Sequence, residues 1–152
     1  MRPTLDTTVL VAAFRSHTGA SRRLFDYVRQ RRFRLVASSA LYLEYEAVLT
    51  RPEQIAVHGV TPQKIELFLI DLASLTDRVR ISFNYRPQLR DADDEMVLEA
   101  AINGRADAIV THSIRDFLPA ANRFGIEVLT PGRILKERLK WRLKQKLLFQ
   151  YV

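Results

Sequence analysis

Short β-branched runs alternate with helix-period segments along this chain, and that alternation limits its fold more than any other feature. The order reads strand, helix, strand, helix, helix, strand, helix, strand, helix, strand, helix. Parallel strands are joined by crossover helices, so the order implies an α/β fold with a mainly parallel central sheet flanked by helices. At 152 residues the chain suits one domain that can bury its own core.

Residues 4–11 read as a buried central strand, and 33–37, 79–83, 108–111 and 123–129 as further strands. Helices are expected over 20–31, 40–50 and 61–76, from Asp91 to Gly104, and from Thr130 to about Phe149. Ser38 or Ser39 caps one of them, and Thr61-Pro62 and Thr130-Pro131 open two more with a cap followed by proline. Residues 51–59, with Pro52 and Gly59, read as a loop, and His58 as an ordinary loop histidine.

The net charge of +7 is unevenly spread. Between Arg133 and Lys146, seven basic residues stand against Glu137 and contribute +6, leaving about +1 for the rest. Residues 1–132 therefore form a nearly neutral body, and 133–152 a basic amphipathic extension of the same domain. In that extension Leu135, Leu139, Leu143 and Leu147 recur every four residues beside a row of Lys136, Lys140 and Lys144. A leucine row of this kind suits a homodimer or a protein partner, with RNA phosphates on the lysine row as second choice. No apolar run reaches the roughly 20 residues that span a bilayer, and the absence of cysteine removes thiolate zinc sites and points to the cytoplasm.

Four acids fall where a parallel sheet would gather them. Asp6 is the one charge in the first apolar run, and Asp116 follows the strand at 108–111. Glu44 lies three residues after Leu41 and four before Val48, on an apolar helix side, whereas Glu46 reads as solvated. Asp94 stands in the first turn of a helix, two residues before Met96. Ligands collect beyond the carboxyl ends of parallel strands. Acids crowded there repel unless protonated or neutralised, and their hard oxygens suit Mg2+ or Mn2+, with no His or Cys set competing for zinc. A plainer reading makes Asp6 a turn cap and Asp91 and Asp93 acids favoured by the helix dipole, Asp91 being the cap. Arg15, Arg22 and Arg115 are candidates for phosphate contacts, or equally for a solvated face.

Taken together, Leu5-Asp6-Thr7-Thr8-Val9-Leu10, Ser39-Ala40-Leu41-Tyr42-Leu43-Glu44, Arg90-Asp91-Ala92-Asp93-Asp94-Glu95-Met96-Val97-Leu98 and Ala106 to Thr111 through Arg115-Asp116-Phe117 resemble the PIN-domain family. The likeness is greatest to the toxin components of VapBC-type toxin–antitoxin operons and runs over about residues 3–133. It implies a single PIN-like domain and a metal-dependent endoribonuclease with the acidic quartet Asp6, Glu44, Asp94 and Asp116. It further implies Mg2+ or Mn2+ as cofactor, RNA as substrate and a cognate antitoxin as partner. Thr8, Asp91, Thr111 and Ser113 would support the quartet. Two positions depart from the family pattern. Asp6-Thr7-Thr8 stands where Asp-Thr-Asn is usual, and Ser113 where Asp or Asn commonly follows the strand threonine by two. The alternative is a PIN-fold module that binds RNA or a partner with weak or no cleavage.

Rival folds fit less well. A haloacid-dehalogenase-type phosphatase would need an acid where Thr8 stands. A receiver domain would need a lysine at a late strand end, and every lysine after residue 64 lies in the C-terminal helix.

Overall fold

The computed structural model describes residues 1–150. Val152 and Tyr151, the end of the expected extension, lie outside the described residues. In chain order the elements are β1 (Pro3–Leu5), α1 (Thr7–Arg15), α2 (Ala20–Arg29), β2 (Leu35–Ser38), α3 (Ser39–Leu49), α4 (Pro52–His58) and α5 (Pro62–Ser74). There follow β3 (Thr76–Val79), α6 (Ala92–Asn103), β4 (Ala108–Val110), α7 (Ile114–Arg123), β5 (Glu127–Leu129) and α8 (Pro131–Gln150).

All strand pairings are parallel, as the alternation implies. One ladder runs β1-β4-β5 and another β2-β3. β2 packs beside β1, where the Arg34 amide donates to the Met1 carbonyl at 3.3 Å. The short central strands are fully buried and near-continuously apolar, the pattern expected of a covered parallel sheet. Leu5, Val9, Leu98, Ile109, Phe117 and Ile134 pack at its centre.

Several boundaries differ from the sequence reading. The run 4–11 is not one strand: β1 ends at Leu5 and a helix begins at Thr7. Thr7, Thr8, Val9 and Val11 favour strand locally, but burial of Val9, Leu10 and Ala13 follows helical spacing. Tertiary packing overrides the local preference. Residues 52–58 form a helix rather than a loop, opened by Pro52 at its first turn and closed by Gly59 at φ 67°. The strand expected at 79–83 lies earlier, at Thr76–Val79. Beyond it the amides of Ser82 and Phe83 are held by the Asn103 side chain, each at 2.9 Å.

Gly104 follows α6 where helix and sheet meet most closely. A Cβ there would overlap the side chains of Val36 and Val79, so the residue is required by approach distance, not by turn geometry.

The last helix is anchored at its start. Pro131 and Ile134 are buried, Leu135 is partly so, and α8 packs on α2. From Leu139 onward its apolar side chains face outward.

Candidate active site

Asp6 occupies the junction between β1 and α1, and its placement follows from the sheet itself. Its amide donates to the Val110 carbonyl at 2.9 Å, extending the β1–β4 ladder by one bond. The side chain is buried. It stands at the N-cap position yet makes no capping bond; instead Oδ2 accepts from the hydroxyls of Thr8 and Thr111, both at 2.7 Å. An isolated buried carboxylate costs several kcal/mol, and charge-assisted hydroxyl bonds offset part of that cost. The same hydroxyls reach onward: Thr8 accepts from the His112 amide at 3.2 Å, and Thr111 from the Ser113 amide at 2.9 Å. The start of α1 and the turn after β4 are thereby tied to one carboxylate.

Glu44 is set by its neighbour. Tyr45 is buried, and its hydroxyl donates to the Leu5 carbonyl, pinning α3 to the residue before Asp6. Burial pushes the Tyr45 phenol well above its usual range, with Tyr42 and Asp6 adding to the rise, so it stays a donor. Glu44 then faces outward beside α1, half-buried, 4.0 Å from Arg51. Glu46 is exposed, as read from its spacing.

Asp91 caps α6, accepting from the Asp93 amide at 3.0 Å. Asp94 in the first turn is half-buried. Burial, then the charges of Asp6, Asp91, Asp116 and Asp93, push its carboxyl from an ordinary 3.8 to about 7. Asp116 lies in the first turn of α7, its amide donating to the Ser113 carbonyl at 3.1 Å.

Asp6, Glu44, Asp94 and Asp116 all line a single open cleft, together with Thr8, Asp91 and Ser113. Arg15 lines it too; Arg22 and Arg115 do not. Among the described residues no three acids or histidines are drawn close enough to grip an ion as placed.

Some lining residues escaped the sequence reading. Arg51, at the N-cap of α4, and Gln54 within it enter the cleft, and Gln54 Oε1 accepts from Arg15 Nη2 at 3.0 Å. Glu95 was also overlooked. It is buried, and its Oε1 accepts from the amides of Gln88 and Leu89 at 2.6 and 2.9 Å, fixing the approach to Asp91. Its spacing of three from buried Leu98 was the available signal.

The PIN domain model matches residues 2–115, which hold three of the four acids and end beside Asp116. The chain belongs to the PIN-domain family. No curated protein sequence matches it. In fold this PIN domain is similar to a chain in the crystal structure of VapBC2 from Rickettsia felis bound to a DNA fragment from their promoter. The TM-score is 0.57 at 17% identity, covering 86% of this chain and 98% of that one.

Proposed function

We propose that this PIN domain is a Mg2+- or Mn2+-dependent endoribonuclease and the toxin of a toxin–antitoxin pair. The observation that carries the proposal is the meeting of Asp6, Glu44, Asp94 and Asp116 in one cleft, where burial, helped by the charges of Asp6 and Asp116, raises Asp94 to about 7. The donor set fits the group. It offers carboxylate oxygens, the ligands preferred by hard divalent cations, and His112, the histidine of the cleft, has its Nε2 engaged with Ser21 Oγ at 2.9 Å.

Asp6 and Asp94, with Glu44 and Asp116, would hold the ion. When bound, such an ion supplies positive charge that acidifies an attacking water and steadies the leaving oxygen of a phosphodiester. The chain's own residues perform the rest. Thr8 and Thr111 orient Asp6 by donating to one of its oxygens, leaving the other facing fewer partners. Arg15 and Arg51 bring positive charge to an otherwise acidic cleft, where guanidinium groups suit phosphate oxygens. The departure at Thr8 supports retained function, since its hydroxyl contacts Asp6 directly.

The toxin assignment and its antitoxin partner draw support from the sequence likeness to VapBC-type toxins and from the fold shared with the VapBC2 chain. The test is cleavage of a labelled RNA by purified protein. Cutting should require Mn2+ or Mg2+, stop in EDTA, and vanish in Asp6→Asn. Binding of RNA without cutting under every metal condition would replace the nuclease with a binding module. Growth arrest on expression, relieved by a co-expressed antitoxin, would test the toxin role separately.

A further inference from the structure

The segment between β3 and α6 is fastened to this PIN domain by polar side chains, not by burial: residues 80–87 are exposed and only 88 and 89 half-buried. Glu95, Glu99 and Asn103 follow one another at intervals of four along α6 and so share one face of it. Asn103 Oδ1 accepts from the amides of Ser82 and Phe83, and its Nδ2 donates to the Phe83 carbonyl at 3.0 Å. Glu99 accepts from Nε and Nη2 of Arg86, and Glu95 from the amides of Gln88 and Leu89. The segment therefore runs back along α6, from its C-terminal end toward Asp91, a residue of the acidic cleft.

This fastening holds two aromatic rings in solvent. Phe83 and Tyr85 are 60% and 43% exposed, and they stack on each other with centroids 6.1 Å apart and 27° between planes. Phe124 tilts against Tyr85 at 5.3 Å, so the row is braced from α7 as well. Around the rings the charge is positive. Residues 80–90 carry Arg80, Arg86 and Arg90 and no acid. Arg123, next to Phe124, donates to Gln88 Oε1 at 2.9 Å. The acids that touch the segment are the two that hold it, Glu95 buried beneath its amides and Glu99 paired with Arg86. Arg80 and Arg90 are exposed and form no ion pair among the described residues.

We infer that residues 80–90 are a docking site for single-stranded RNA, with bases stacked on Phe83 and Tyr85 and flanking phosphates on Arg80 and Arg90. Aromatic faces interleaved with guanidinium groups hold unpaired strands with little regard to sequence. The direction of the segment favours this occupant, because a strand lying on it is led toward the carboxylates. From Asn103 to Asp94 is nine residues of helix, about 14 Å. The inference rests on the ribonuclease reading and adds to it that the substrate arrives unpaired.

The test is binding of a labelled mixed-sequence RNA strand of about 20 nucleotides, followed by fluorescence anisotropy in EDTA so that no cutting intervenes. Phe83→Ala with Tyr85→Ala should weaken binding at least about tenfold. Tyr85→Trp keeps a flat ring and should bind as the native chain does. In a Trp141→Phe background, which removes the one native tryptophan, its indole fluorescence should fall as RNA is added. Arg80→Gln with Arg90→Gln should flatten the dependence of log Kd on log salt by about 0.7 per arginine. A duplex of the same sequence, whose bases already stack on one another, should be indifferent to the double alanine change. Native affinity in the double alanine variant, an equal loss for the duplex, or no strand binding by the native chain would each overturn the inference. Absence of quenching in Tyr85→Trp would do so even if the double variant failed to fold. Cleavage in Mn2+ separates the two readings. A native chain that cuts RNA, with a double alanine variant that binds and cuts unchanged, leaves the nuclease without this docking site; strand binding through Phe83 and Tyr85 with no cutting leaves the docking site without the nuclease.

Discussion

Replacing Asp94 by Asn should make the metal-free protein more stable, although the residue lies at the heart of the proposed site. The carboxyl is raised from 3.8 to about 7, by burial first and by the neighbouring acids next. A folded state that holds its proton more tightly than the unfolded chain loses stability as pH rises between those two values. The full shift corresponds to a ceiling of about 4 kcal/mol above pH 7. Because the side chain is only half-buried, solvent screening reduces the expected cost to about 1–2 kcal/mol. Asn keeps the shape and removes the charge. In EDTA, urea denaturation at about pH 8 should show the variant ahead by that amount, and at about pH 4 the gap should shrink below half. Equal stability at the higher pH, or a gap that ignores pH, would refute the electrostatic reading of the cleft. Added Mn2+ should stabilise the native protein and leave the variant nearly unmoved.

Three other outcomes follow from the geometry. Thr111→Val removes one of the two close hydroxyl donors to buried Asp6 and should cost about 1–3 kcal/mol in denaturant unfolding. Asp77 accepts from Arg34 and Arg2, chiefly Arg34, and its carboxyl is lowered. That stability is present above the ordinary carboxylate range and is lost as pH falls through the lowered value. Asp77→Asn should therefore cost about 0.2–1 kcal/mol per pair at neutral pH, with the difference closing in acid. Gly104→Ala should cost about 1–3 kcal/mol through overpacking against Val36 and Val79, read as a lower thermal midpoint.

The acids were legible because each sits beside a strong apolar pattern. Glu44 takes its side from Leu41 and Val48, and Asp94 and Asp116 stand in first turns next to β4 and the core. The junction at Asp6 was harder to read. Three β-branched residues follow it, and only the fit of Val9, Leu10 and Ala13 into the core decides for helix. Arg51 and Gln54 could not be read as part of the cleft, because they reach it only once α4 folds against α1. The direction of the leucine row was likewise hidden: periodicity gives a stripe, and only tertiary packing shows that past Leu135 it stays more than half exposed.

The Tyr45 tether couples two parts of the cleft that chain distance would otherwise separate. Since its hydroxyl grips the carbonyl immediately preceding Asp6, any tilt of α3 carries the backbone under Asp6 along with Glu44. The backbone segments that carry those two carboxylates are thereby linked. Asp94 and Asp116, by contrast, ride on two other helices, α6 and α7.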